Sequence, residues 1–295
     1  MPVSNKPAVV VRNLSKTFWV GKDGTEIGIG LKCHGTQIDA LQPISFVAHQ
    51  GEAVGIIGKN GSGKSTLLNL IAGHERPTSG SIWVSSQPSL LSVSAALQQH
   101  LTGLQNIRLG LLASGFSPKE AKEREQEVAE WADIGDAVNR PMNTYSSGMG
   151  ARLRFSIATA VHTDILLVDE ALATGDSTFT ERAKQRMNDL LESDASVFIV
   201  SHSPGVIQDN CTRAIWIHEG QTITDGDADQ VCRQYKRWSD AVAKWDRITA
   251  GKVMRRALND YHPPQIVFDS EAAALLEPVH TTRKGWFRKS GRHAK

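Results

Sequence analysis

Several things are scarce in this chain of 295 residues, and each scarcity closes off a class of function. It has three cysteines, Cys33, Cys211 and Cys232, at spacings that match neither a metal-ligand set nor a redox pair. They read as reduced thiols of a cytosolic protein, which fits the lack of a signal peptide. Cys33-His34 are adjacent but have no second ligand pair, so they do not make a zinc site. No apolar run approaches the ~20 residues of a membrane helix, so any membrane pore must come from another polypeptide. The net charge of +2 leaves no nucleic-acid footprint across the whole chain. Internal repeats and heptad runs are absent as well.

What remains is a globular composition, 40% hydrophobic and 22% charged, and enough length for one large domain or two moderate ones. Residues 58–66, Gly-Lys-Asn-Gly-Ser-Gly-Lys-Ser-Thr, complete the pattern G-x-x-x-x-G-K-[ST]. The run Glu52 to Ile57 before it suits a buried strand. Leu67 to Ala72 after it is apolar at helical spacing and closes at Gly73. That context is what distinguishes a phosphate cradle from an ordinary glycine-rich turn. Anionic phosphate needs converging N–H groups and the positive end of a helix. Gly61 and Gly63 let the backbone come close, Lys64 adds a point charge, and Ser65 offers a hydroxyl to Mg²⁺. The whole set Gly58, Lys59, Asn60, Gly61, Ser62, Gly63, Lys64, Ser65 and Thr66 is therefore the candidate nucleotide loop.

The other elements follow from period and punctuation. Val9–Val11, Ile44–Val47, Ile82–Val84, Ile165–Val168 and Val197–Val200 read as strands, and Pro77–Gly80 as a turn. Ala214–Ile217 and Gln221–Ile223 flank Glu219-Gly220 as a hairpin. A helix opens at Ser117-Pro118-Lys119-Glu120, where Ser117 caps and Glu120 reaches back, and runs to about Ile134 with a solvated charged face. Helices are also expected over 151–161, Thr180–Leu191 and, in mixed form, Trp238–Asn259. Residues 19–38 read as a loop insertion, and 86–116 show no clean period. Alternating strands and helices argue for an α/β core with a parallel sheet.

Three further groups complete the candidate chemistry. Asp169-Glu170 close the strand 165–168, where a carboxylate can reach a metal held at the phosphate loop. Asp169 is placed to hold Mg²⁺ through water, and Glu170 to polarise the water attacking the γ-phosphate. His202 follows the strand 197–200, where it could contact the γ-phosphate. Ser146, Ser147 and Gly148 precede the helix 151–161, either as a plain capped start or as a second anion site. One nucleotide does not need two γ-phosphate sites on one chain. A homodimer, in which each chain's 145–149 cover the ATP of its twin, resolves the excess.

Taken in order, these motifs resemble the ATP-binding subunit of an ABC transporter over about residues 9–235. Residues 58–66 match its Walker A loop, 165–170 its Walker B strand with the catalytic glutamate Glu170, and Tyr145–Met149 its signature loop. The resemblance implies further that Gly175-Asp176 form the dimer-contacting D-loop, that His202 is the switch histidine, and that Phe18 stacks on adenine. The fold it implies is a RecA-like P-loop core with an antiparallel β subdomain and a helical subdomain. The helical subdomain would span about 93–163, within an ATP-binding domain of residues 1–236. A helical extension and basic tail, 237–295, would follow. Tyr-Ser-Ser-Gly-Met, the run Asp169 to Asp176, Leu101-Thr102-Gly103 and Asn106-Ile107 are most similar to the polysaccharide-export branch. Ala132–Gly135 and Asp176–Thr180 point to its teichoic-acid type.

The resemblance implies ATP and Mg²⁺ as cofactors and a pair of integral membrane permease subunits as partners, docked near 93–116. The permease would handle a lipid-linked polysaccharide, and the chain would sit at the cytoplasmic face of the membrane. Rival readings within the family are a soluble ABC ATPase on ribosomes or DNA, an importer subunit, and a non-hydrolysing ATP sensor. The single cassette, the lack of a coiled coil, the signature variant, and Glu170 with His202 speak against them in turn. One departure stands out: where the family carries Gln or Glu in the loop after the strand near 82–91, this chain has Ser92, with Gln87 and Gln98 nearby. The stretch after 236 is too short for a sugar-binding sandwich. The last fifteen residues carry Arg283, Lys284, Arg288, Lys289, Arg292 and Lys295 without an acid, which fits a solubilising tail or contact with an anionic membrane.

Overall fold

The computed structural model describes residues 6–20, 36–90, 97–160, 163–169, 179, 181–183, 185–186, 189, 195–268 and 271. The described chain forms one compact unit through Pro264 and a separate short unit from Gln265 onward. Expectations for Cys33-His34, Ser92, Glu170, Gly175, Asp176 and the basic tail fall outside the described residues.

Nine strands make two sheets among the described residues. A three-stranded antiparallel sheet has the order β2-β1-β4, from β1 (Pro7–Val20), β2 (Thr36–His49) and β4 (Ser79–Val84). The larger sheet has the order β5-β6-β7-β3-β8-β9. It comprises β3 (Ala53–Ile57), β5 (Ser89–Leu90), β6 (Ile165–Val168), β7 (Ser196–Ser201), β8 (Arg213–His218) and β9 (Gln221–Asp227). Five of these run parallel, and β9 returns antiparallel as the hairpin expected from Glu219-Gly220.

The strands alternate in the way a sheet buried on both sides requires. Val54 and Ile56 face Leu67 and Leu68 of α1 (Lys64–Ile71) and the antiparallel sheet's Val9, Val11 and Phe46. Ile57, Val197, Ile199 and Trp216 face the other layer. That layer includes α4 (Ser147–Thr159), α5 (Pro204–Asn210), α6 (Ala228–Ala243) and α7 (Arg247–Asp260). A separate apolar cluster joins α2 (Gly103–Ala113), α3 (Pro118–Ala132) and α4 into the helical layer.

Several boundaries differ from those read in the sequence. Ser117 caps α3 as expected, with Ser117 Oγ accepting from Glu120 N and Glu120 Oε2 accepting from Ser117 N. The region 86–116, which showed no period, contains α2. Its buried positions are Gly103, Asn106, Ile107, Gly110 and Leu111, which have helical spacing but carry glycine and asparagine where apolar side chains would signal a helix. Glycine is required there: a Cβ at Gly103 would stand 2.8 Å from the Val138 carbonyl, and one at Gly110 would strike Ile157. The ends of the 19–38 insertion are strand, since β1 runs to Val20 and β2 begins at Thr36, paired through Val20↔Thr36. Ser79 and Gly80 belong to β4 rather than to a turn, because Ser79 pairs with Ser15. Helix α4 starts four residues early, at its Ser146 cap. Trp238–Asn259 is two helices, broken where Trp245 takes φ 60° and Asp246 caps α7. Residue 236, the expected domain edge, lies inside α6.

A partly buried ion network ties the sheets together at the amino end of β3, where Arg213 pairs with Val54. The Arg213 guanidinium on β8 donates to both carboxylate oxygens of Asp225 on β9, each at 2.7 Å. It also donates to Glu52 Oε1 at 3.1 Å and to the Val47 carbonyl on β2 at 2.7 Å. Burial works against the guanidinium charge, but the two carboxylates prevail and raise its pKa. Removing one partner of such a network leaves charges uncompensated. Arg213→Met should therefore cost about 3–5 kcal/mol in urea unfolding; a loss below about 1 kcal/mol would show the network to be idle.

Candidate nucleotide site

The site is built where parallel strands end. In the order β6-β7-β3, Val168 pairs with Ile199, and Ile57 pairs with Ser201. Asp169, His202 and Gly58 each follow directly on one of these strands, so they stand side by side along the sheet's carboxyl edge. Ligands of open α/β sheets bind at that edge.

The loop itself is prebuilt. Gly63 caps α1 with φ 103°, and a Cβ there would stand 2.5 Å from the Ala40 carbonyl on β2. Only glycine meets both conditions. Gly61 has φ 77° and open space around it. The Lys64 ammonium donates to the carbonyls of Gly58 at 2.8 Å and Lys59 at 2.9 Å, curling back over the loop. Burial lowers the Lys64 pKa, and the charge of Asp169 partly opposes that shift. Asp169 thus acts electrostatically on the loop lysine, as a residue of the same site would. Ser65 is exposed at the first turn of α1, and Thr66 is half-buried.

Sequence reasoning missed the residues that hold this loop from outside. The hairpin tip Gly220, at φ 76°, donates its N–H to the Ser62 carbonyl at 3.0 Å. Its own carbonyl accepts from Gln42 N at 3.0 Å. One tight turn therefore pins the loop to β2. Lys59 Nζ lies 4.8 Å from the centroid of the Trp238 ring on α6, which also packs edge-on against His218 at 4.7 Å. No local pattern announces contacts between residues so far apart in the chain.

The remaining expected residues sit elsewhere around this edge. Phe18 is half-buried on β1, paired with Ile38 and near the segment of β2 that touches Gly63, with Lys16 Nζ 4.6 Å from its ring centroid. Ser146 caps α4 and accepts from Met149 N at 3.2 Å, while Ser147 and Gly148 form the first turn. They belong to the helical layer, and Gly148 has no atom closer than 4.0 Å to an added Cβ. Asn106, a residue quoted above only as a branch marker, is fully buried. Its side chain accepts from Gln98 N and donates to the carbonyls of Gln98, Leu101 and Thr102, fixing the turn into α2.

The ABC transporter family model matches residues 41–173. The teichoic acids export ATP-binding protein TagH of Staphylococcus haemolyticus is 37% identical over 75% of this chain and 83% of its own length. The chain belongs to the ABC transporter family of ATP-binding proteins. The TagH protein of Bacillus cereus is 44% identical over 67% of this chain, which spans only 36% of that relative's length. Among solved structures, a dimeric post-hydrolysis state of the ATP-binding cassette MJ0796 bound to ADP and Pi matches with a TM-score of 0.62 and 25% identity. That match covers 75% of this chain and 98% of the cassette. The expected ABC nucleotide-binding fold is thus borne out.

His218 gives this ABC protein a pH-sensitive joint next to the loop. Burial holds its pKa below the ordinary value of about 6.5, with Glu219 opposing and the Lys59 charge adding to the depression. The folded chain resists a proton that the unfolded chain takes up. Stability is therefore full above about pH 6.5 and falls as pH drops from there toward the depressed folded value. His218→Asn should flatten the fall in unfolding free energy between about pH 7 and pH 5 relative to the parent. Identical slopes would remove His218 from the joint.

Proposed function

We propose that this chain is the ATP-hydrolysing subunit that powers export of a lipid-linked cell-envelope polysaccharide of the teichoic-acid type through a separate membrane permease. The observation that carries the reading is the prebuilt loop 58–66 beside Asp169 and His202 on the carboxyl edge of a parallel sheet. The names of the TagH relatives supply the cargo class. Among the described residues, no helix is long and apolar enough to cross a membrane. On this reading the chain works at the cytoplasmic face through a pair of permease subunits docked near 93–116. The turn that Asn106 fixes lies within that stretch.

In this scheme the N–H groups of 58–64 and the Lys64 ammonium hold the triphosphate, and Phe18 stacks on adenine. The donor set suits Mg²⁺: an exposed hydroxyl, Ser65, at the helix start, and the Asp169 carboxylate, close enough to act on Lys64. Ser65 would hold the ion directly and Asp169 through water; when bound, it neutralises charge on the phosphate oxygens. Glu170 polarises the attacking water, and His202 positions the γ-phosphate. Ser146, Ser147 and Gly148 of a second copy close the site, with Asp176 contacting across the dimer. Each member positions groups or stabilises charge, which is where catalysis of phosphoryl transfer resides.

Lys64→Ala should abolish ATP binding in a filter assay, and unchanged binding would remove the cradle. Glu170→Gln should keep ATP binding while phosphate release falls by roughly 10²–10³. Release at the parent rate would take Glu170 out of catalysis.

A further inference from the structure

Helix α6 reaches the loop through one contact that the scheme above does not use. Trp238 is buried in an aromatic cluster, 5.3 Å from Trp216, 5.8 Å from Tyr235 and 4.7 Å from His218 between ring centroids. Its ring receives the Lys59 ammonium at 4.8 Å. Lys59 is more than a bystander in the loop. Its carbonyl accepts from the Lys64 ammonium at 2.9 Å and from Ser62 N at 3.1 Å. Fixing the Lys59 side chain therefore fixes the carbonyl that holds both the charge and the turn of the cradle.

We infer that Trp238 is a positioning residue for the nucleotide loop, acting through Lys59, and that α6 is thereby a working part of the ATP site. A cation over an aromatic face is attracted by the ring quadrupole, more strongly where water is excluded. Here the ring is buried and packed against three other rings on β8 and α6, so it cannot drift with the loop. With the tip Gly220 bonded to Ser62, the cradle is held at both of its shoulders before any phosphate arrives. Prior order of this kind lowers the ordering cost of binding. The effect belongs to nucleotide affinity, because Trp238 packs on β8, on one side of β3, while Asp169 follows β6 on the other side in the sheet order.

The inference rests on reading 58–66 as the nucleotide loop, and the test separates the two. ATP affinity is measured on the full chain with a fluorescent ATP analogue, and KM and kcat by phosphate release. Trp238→Ala and Lys59→Met should each weaken binding roughly three- to tenfold, raising KM with kcat held. The double variant should be no weaker than either single, since both remove one interaction. Trp238→Phe and Lys59→Arg, which keep a ring and a cation, should recover most of the affinity. They also keep the test decisive if Trp238→Ala does not fold. Equal weakening by Trp238→Ala with and without Lys59, or unaltered affinity in Lys59→Met, would overturn the inference. If the parent itself binds no ATP, the reading of the loop fails instead.

Discussion

Everything in the molecule depends on keeping one short loop in a conformation that polypeptide does not favour. A backbone cradle for phosphate needs N–H groups that converge on the anion, and in this loop Gly63 lies in the left-handed region with the Ala40 carbonyl at its back. Left alone, such a loop would relax. It is held instead by β3 at its start, by α1 at its end, by the Gly220 hairpin tip at Ser62 and by the Trp238 ring at Lys59. The Arg213 network fixes the hairpin that carries Gly220 to β2 and to the approach to β3. The antiparallel sheet contributes the Ala40 carbonyl that excludes any residue but glycine.

The loop was legible in the sequence because its constraints are local: each of Gly61, Gly63, Lys64 and Ser65 answers a demand made within nine consecutive positions. Strand ends were legible for a related reason. A four-residue apolar run such as Ile165–Val168 suits only a buried strand, so the acid after it must stand at the sheet's edge. The capping box at Ser117 was read correctly because it too is written within four residues. Helix α2 was illegible because close packing replaced its apolar signal with Gly103, Asn106 and Gly110. Its own capping box, Thr102 with Gln105, was the one local cue present. The contacts that Gly220, Gln42 and Trp238 make around the loop could not be read, since their partners lie far away in the chain.

The division of labour between the layers has a consequence for assembly. The sheet edge gathers Gly58–Thr66, Asp169 and His202. Ser146, Ser147 and Gly148 stand at the head of α4, in a layer packed on α2 and α3. The solved cassette most useful for comparison is itself a dimer. In the proposed scheme the sheet edge and the head of α4 are two halves of one site, and a second copy turned to face the first closes it economically. Under the proposed scheme, that closure is what pulls on the permease.

The decisive measurement is the specific rate of phosphate release by the isolated chain at saturating ATP, followed over a wide dilution series. A site completed by a sister chain predicts that turnover per chain falls on dilution, with Ser147→Arg chains failing alone yet partly restored when mixed with Lys64→Ala chains, because each mixed dimer regains one of its two sites. Turnover per chain that stays constant to the lowest concentration, with a strictly monomeric species in solution, would contradict the account.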